Sequence, residues 1–193
     1  MRLDILDNGY RPRIKLLFAL IRVFSGHPPP DAAKLTFYRP AFYGAAAKNF
    51  TQAAMRGPAA WSVADRELMA AFVSQVNGSA FCLGAHTATA GRAYRDPAKV
   101  RAVLTDLDTA PIEDGLRATL RMLGTLTREG SISAEDMRAV LSAGVSRDQV
   151  ADALAVCAAF DTTDRLADAF GFEVLDPAGF EAGAAYLLKR GYR

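Results

Sequence analysis

Helix stops and starts recur along this chain, and the segments between them carry apolar residues at helical rather than alternating spacing. A Gly or Asn-Gly closes one segment and a Ser, Asp or Pro opens the next, which are the residue types that satisfy or dispense with the orphan backbone groups of helix ends. Ile14, Leu17, Phe18, Ile21 and Phe24 form the first stripe, closed by Gly26 and Pro28-Pro29-Pro30. A helix is expected from about Pro40 to Met55, stopping at Gly57-Pro58. Ser62, with Asp65 three positions on, opens another through Leu68, Ala71, Phe72 and Val76 to Asn77-Gly78. Ser79 opens a helix to about Tyr94. Pro97 and Pro111 each suit a first helical turn, and the helix after Pro111 carries Leu116, Leu120 and Leu123 on its core face to Glu129-Gly130. Ser133 opens a short helix closed by Gly144, Ser146 and Gln149 form a capping box for a longer one reaching Gly171, and Pro177 starts the last. Strand patterns are almost absent, so the expected fold class is all-α, with about eight helices.

Charge and composition narrow the partners. With 23 Lys+Arg against 21 Asp+Glu among 193 residues, the net charge of +2 is too balanced for a chain whose work is to neutralise phosphates, and nucleic acid is not an expected partner. The apolar run from Ile14 to Phe24 is shorter than the roughly 20 residues of a membrane span and is broken by Lys15 and Arg22. No small-residue cleavage site follows it, only Ser25, Gly26, His27 and three prolines, so a cytoplasmic location without membrane contact is expected. Residues 1–30 read as an N-terminal helix with a Pro-rich linker, its stripe covered by the main body or a partner subunit, and 31–193 as the main domain. The two cysteines and two histidines come from three distant segments, and none shows the paired spacing of metal ligands, so neither a disulfide scaffold nor a metal site is expected. Phosphate-loop, dinucleotide and nucleophile-elbow motifs are missing, and no cofactor is expected.

What remains is Ser79-Ala-Phe-Cys82-Leu-Gly-Ala-His86. Behind an N-cap at Ser79, Cys82 falls in the first helical turn, where the dipole and free N–H groups favour a thiolate. His86 lies four residues on, on the same face and about 6 Å along the axis. The preceding helix offers Glu67 across the Asn77-Gly78 turn, if Glu67 faces the hairpin seam. Taken singly, Cys82 reads as a small buried hydrophobe, His86 as a satisfied polar residue and Glu67 as an exposed first-turn acid.

Glu67, eleven intervening residues, then position 79, Cys82 and His86 resemble the alkylhydroperoxidase AhpD and carboxymuconolactone decarboxylase superfamily, whose peroxidase branch carries Glu, Cys-x-x-Cys and His at this spacing. The stretch from Arg56-Gly57-Pro58 through Trp61-Ser62, Asp65 to Leu68, Val73-Ser74 and Asn77-Gly78 is similar to the peroxidase-related subgroup, as is Asp164 to Gly171 later; the likeness covers about 40–171. It implies an all-helical bundle with a central helical hairpin carrying a thiol site, in a homo-oligomer. Carried over residue by residue, it makes Cys82 the peroxide-attacking position and Glu67 and His86 the proton relay, but Ser79 stands where the disulfide-forming first cysteine belongs. The expected function is therefore alkylhydroperoxidase-like thiol chemistry, peroxide reduction or redox sensing, with a small-molecule peroxide and an external thiol reductant as partners. A carboxymuconolactone decarboxylase-like lyase using Glu67 and His86, or a non-catalytic oligomeric member of the family, are the alternatives. Cys157, on an apolar helical face, reads as core rather than as a resolving group.

Overall fold

The computed structural model describes residues 3–192. Eleven α-helices and one π-helical turn make up its regular structure: α1 (Ile5–Asn8), α2 (Pro12–Ser25), α3 (Asp31–Tyr38), a π turn (Pro40–Gly44), α4 (Ala45–Arg56), α5 (Val63–Asn77), α6 (Ala80–Tyr94), α7 (Pro97–Thr105), α8 (Asp114–Glu129), α9 (Ala134–Ser142), α10 (Arg147–Phe170) and α11 (Pro177–Arg190). The described residues contain no strand, and the all-α reading holds. The count exceeds the expected eight partly because α1 and α3 are too short for periodicity to reveal.

The centre of the bundle is α5. Ser62 caps it, its hydroxyl accepting from the Asp65 N–H at 3.1 Å while Asp65 Oδ2 accepts from the Ser62 N–H at 3.0 Å. Gly78 ends it in the left-handed region at φ +75 and turns the chain into α6. Every residue from Arg66 to Ser74 is buried, Arg66 and Glu67 included. A helix covered on all sides must be ringed by others, and α6, α8 and α10 pack around it while α11 lies on α6. The main core includes Leu68, Met69, Phe72, Leu120, Leu123 and Phe160. A second apolar cluster joins Leu6 of α1, Leu35 of α3, Phe81 and Cys82 of α6, Ala167 of α10 and Phe172.

Three boundaries depart from expectation. The helix expected from Pro40 begins as the π turn and becomes α-helical only at Ala45. The helix expected after Pro111 starts at Asp114, because the Arg117 guanidinium donates to the carbonyls of Leu107, Asp108, Ala110 and Ile112 and so commits this stretch to a loop. The Ser79 hydroxyl makes no capping bond although the residue sits at the N-cap position of α6. In α2, Phe18 packs edge-on against Tyr10 and Phe37 of its own chain, while Leu16, Val23 and Phe24 remain exposed.

Candidate active site

The α5–α6 hairpin runs antiparallel, and its seam brings Glu67 to His86. Glu67 Oε2 lies 2.6 Å from His86 Nδ1, with the glutamate fully buried and the histidine nearly so. The other oxygen, Oε1, accepts from Arg56 Nη2 at 2.5 Å and from the Tyr192 hydroxyl at 3.0 Å. Burial works to raise the Glu67 pKa, but the imidazole and the Arg56 guanidinium outweigh it and hold the carboxyl below its usual range. An ionised carboxylate has only acceptors, so Nδ1 carries the hydrogen of this bond, and Nε2 is left as the ring nitrogen for proton exchange. The imidazole is clamped between rings, with Phe160 edge-on at 4.3 Å between centroids and Tyr192 nearly parallel at 6.3 Å.

Cys82 sits one helical turn before His86 and is 1% exposed, within the second apolar cluster. Its thiol is not poised as the sequence suggests. Burial first, and then the charge and hydrogen bonding of Asp164, push the Cys82 pKa far above the ordinary thiol value. Asp164, wholly buried on α10, accepts from Ser74 Oγ at 2.9 Å and Asn77 Nδ2 at 2.9 Å. Its own pKa is raised by burial, against the pull of Asn77, Cys82 and Ser74. The resting sulfur is therefore a protonated thiol beside a carboxyl group, in place of the expected thiolate.

Ser79 is fully buried, and its oxygen has no hydrogen-bond partner among the described residues. It acts on the Cys82 sulfur in the direction that favours thiolate, a pull that burial and Asp164 outweigh. Cys157 belongs to the main core rather than to the Cys82 cluster, and both cysteines are free. Its sulfur lies 3.6 Å from Thr127 Oγ1 and 3.5 Å from Asp161 Oδ2, and burial pushes its pKa up to about 12. Among the described residues, no three His, Cys, Asp or Glu side chains are grouped to hold a metal ion.

Residues 42–123 match the carboxymuconolactone decarboxylase family. The whole fold is similar to that of a peroxidase-related protein from Silicibacter sp. TM1040, at 23% identity over 93% of both chains with a TM-score of 0.76. The family match thus takes in α4 to α8 in part, with Glu67, Cys82 and His86 inside it, and the fold around it is AhpD-like. The fold is also similar to that of an AhpD-core peroxidase-related protein from Ralstonia eutropha JMP134, at 20% identity over 90% of each chain with a TM-score of 0.74. It resembles the debrominase Bmp8 in complex with 2,3,4-tribromopyrrole as well, at 15% identity, covering 92% of this chain and 91% of that one with a TM-score of 0.67. No curated protein matches the sequence. Sequence reasoning singled out Glu67, Cys82 and His86 but not three polar residues that the fold brings to them. Arg56 and Asp164 stand inside the family-like stretches without any local mark of their role, and Tyr192 lies outside them.

Proposed function

We propose that this chain is a thiol oxidoreductase that reduces or senses peroxides through Cys82, with Glu67 and His86 as its proton relay and an external thiol as reductant. The observation that carries the proposal is the buried Glu67–His86 bond at 2.6 Å, one helical turn from a buried sulfur. The Cys82 S–H proton passes to an acceptor, for which His86 Nε2 is the available relay atom, as the sulfur attacks the distal oxygen of R–O–O–H. The O–O bond breaks, RO⁻ takes the proton, and the products are Cys82–SOH and ROH. Ser79 offers no sulfur to condense with the sulfenic acid. A small thiol R′SH therefore forms the mixed disulfide and releases water, and a second R′SH frees Cys82 as R′SSR′ departs.

The protonated resting state favours a second reading, a lyase in which Glu67 and His86 do acid–base work on a small cyclic acid or lactone and Cys82 lines the pocket. One experiment separates the two. The protein is treated with cumene hydroperoxide in the presence of a sulfenic-acid trap, and Cys82 is followed by mass spectrometry in wild type, Cys82→Ser and His86→Ala. Peroxide loss with a Cys82 adduct, abolished by Cys82→Ser and slowed by roughly 10²-fold or more in His86→Ala, is expected. No adduct and no peroxide consumption would overturn the thiol reading. Ser79→Cys should then gain turnover with a dithiol reductant, because it restores a partner for the oxidised sulfur.

A further inference from the structure

The reactive groups have almost no opening to solvent. Cys82, Glu67 and His86 are 1%, 0% and 5% exposed. Two open clefts of about 320 Å³, one beside Cys157 and Arg165 and the other beside Trp61 and Glu113, are lined by other residues. A substrate reaches the sulfur only when some element moves, and the element whose fastenings end on the relay itself is α11 with the turn that follows it.

Along its length α11 lies on α6. The Phe180 ring rests on Gly84, midway between Cys82 and His86, so closely that a Cβ at Gly84 would fall 2.4 Å from Phe180 Cζ. Past Arg190, Gly191 at φ +70 redirects the chain inward. The Tyr192 N–H then donates to Gln52 Oε1 at 2.7 Å, its ring stacks on His86, and its hydroxyl donates to Glu67 Oε1. Arg56 joins the same fastening. Its guanidinium stands 5.1 Å from the Tyr192 ring centroid, and Nη2 reaches both Glu67 Oε1 and the Leu187 carbonyl at 3.3 Å.

We propose that Tyr192 is a positioning residue for the Glu67–His86 pair and that, with α11, it is the gate through which a reactant reaches Cys82. This rests on the reading of Cys82, Glu67 and His86 as a reactive set. Closed, the phenol fixes the carboxylate oxygen opposite the one that holds Nδ1, so Oε2 stays aimed at the imidazole. Open, the His86 face and the groove over Gly84 meet solvent together. Coupling of the two follows from the shared carboxylate, since whatever breaks the phenol bond removes one of the two donors on Oε1 and leaves Arg56, itself tied to the Leu187 carbonyl of α11, to hold it alone.

The test uses the full chain and needs no peroxide. N-ethylmaleimide labelling of Cys82 and Cys157 is timed by peptide mass spectrometry in wild type, Tyr192→Phe and Tyr192→Ala. Ring ¹⁵N shifts of His86 are read in parallel, with His27→Gln for assignment. Tyr192→Ala is expected to speed labelling of Cys82 on the order of tenfold or more while Cys157 keeps its wild-type rate. Tyr192→Phe, which removes one oxygen and keeps the ring, is expected to shift the His86 nitrogens. An unchanged Cys82 rate in Tyr192→Ala, or equal acceleration of both cysteines, would overturn the gate. Unmoved His86 nitrogens in Tyr192→Phe would overturn the positioning role, and this arm decides should Tyr192→Ala fail to fold. A protein that consumes no peroxide still gives every one of these readouts, so loss of the functional reading and loss of the gate are separately visible.

Discussion

Replacing Glu67 by Gln keeps the shape of the side chain and removes its charge. The carboxylate takes three donors, from His86, Arg56 and Tyr192, at 2.6, 2.5 and 3.0 Å in a fully buried position. A Gln can keep one end as an acceptor. Its other end becomes an NH₂ that faces either the imidazole N–H or the guanidinium, so one strong bond turns into donor against donor, and a nearly buried Arg56 loses its counter-charge. Breaking a buried pair on one side costs ~3–5 kcal/mol, and the isosteric Gln places this case at the low end, about 3 kcal/mol. For a domain of this size that loss lowers Tm by about 6–12 °C. The sign with pH follows from the depressed Glu67 pKa. The charge contributes its full stability above the unfolded value of about 4.3 and loses it as pH falls through the lower folded value, where wild type also becomes neutral at this position. Urea melts of both proteins from pH 7 down to the acid limit should show a gap that is widest at neutral pH and closes below about pH 4. A gap under about 0.5 kcal/mol at pH 7, or one that stays constant through the acid range, would refute the reasoning.

Four further substitutions have expected outcomes. Asp164→Asn removes the charge that disfavours a Cys82 thiolate while keeping an acceptor for Asn77, and iodoacetamide labelling of Cys82 at pH 7 should rise on the order of tenfold; an unchanged rate would show that burial alone sets the thiol. Gly84→Ala drives a methyl into the Phe180 ring and should cost ~1–3 kcal/mol in a urea melt, whereas Gly183→Ala within α11 meets nothing within 4 Å and should gain about 0.5–1 kcal/mol. Ser62→Ala removes the capping box of the central helix and should cost about 1 kcal/mol by the same assay.

The parts legible in the sequence are those that short stretches of chain determine alone. The capping boxes at Ser62, Ser133 and Ser146 form between residues three apart, and each opens its helix where the residue types say. The same holds for Cys82 and His86, which share a face because both lie on α6. Glu67 needed one more fact, the facing of α5, and burial on all sides of that helix meant no apolar stripe could supply it. Tyr192 was out of reach altogether, since 125 residues separate it from the glutamate it touches. Arg117 gives the converse lesson. Pro111 is a good first-turn residue, yet four carbonyls bound to one guanidinium hold the chain open until Asp114.

Ser79 and Cys82 show how magnitude decides between a local rule and its surroundings. A helix N-terminus favours a negative charge by ~0.3–1 kcal/mol, at most about 2 in a partly buried setting, which is under two pKa units. Full burial moves a titratable group by up to ~3–5 units in the opposite direction, and a neighbouring carboxylate adds to that. First-turn placement therefore loses at Cys82, whose walls are Phe81, Ala167 and Phe172 and whose polar neighbour is Asp164. Ser79 is drawn into the same interior, and its hydroxyl is lost to the backbone it would otherwise cap. Thiol chemistry here then depends on a step that rehydrates the sulfur or gives its proton an acceptor. Any reagent that reacts with Cys82 should accordingly show a rate that saturates at high concentration, where opening of the fold takes over from the thiol as the limiting step, which stopped-flow labelling can measure. A rate that climbs linearly without limit would mean that the sulfur is reachable in the closed state.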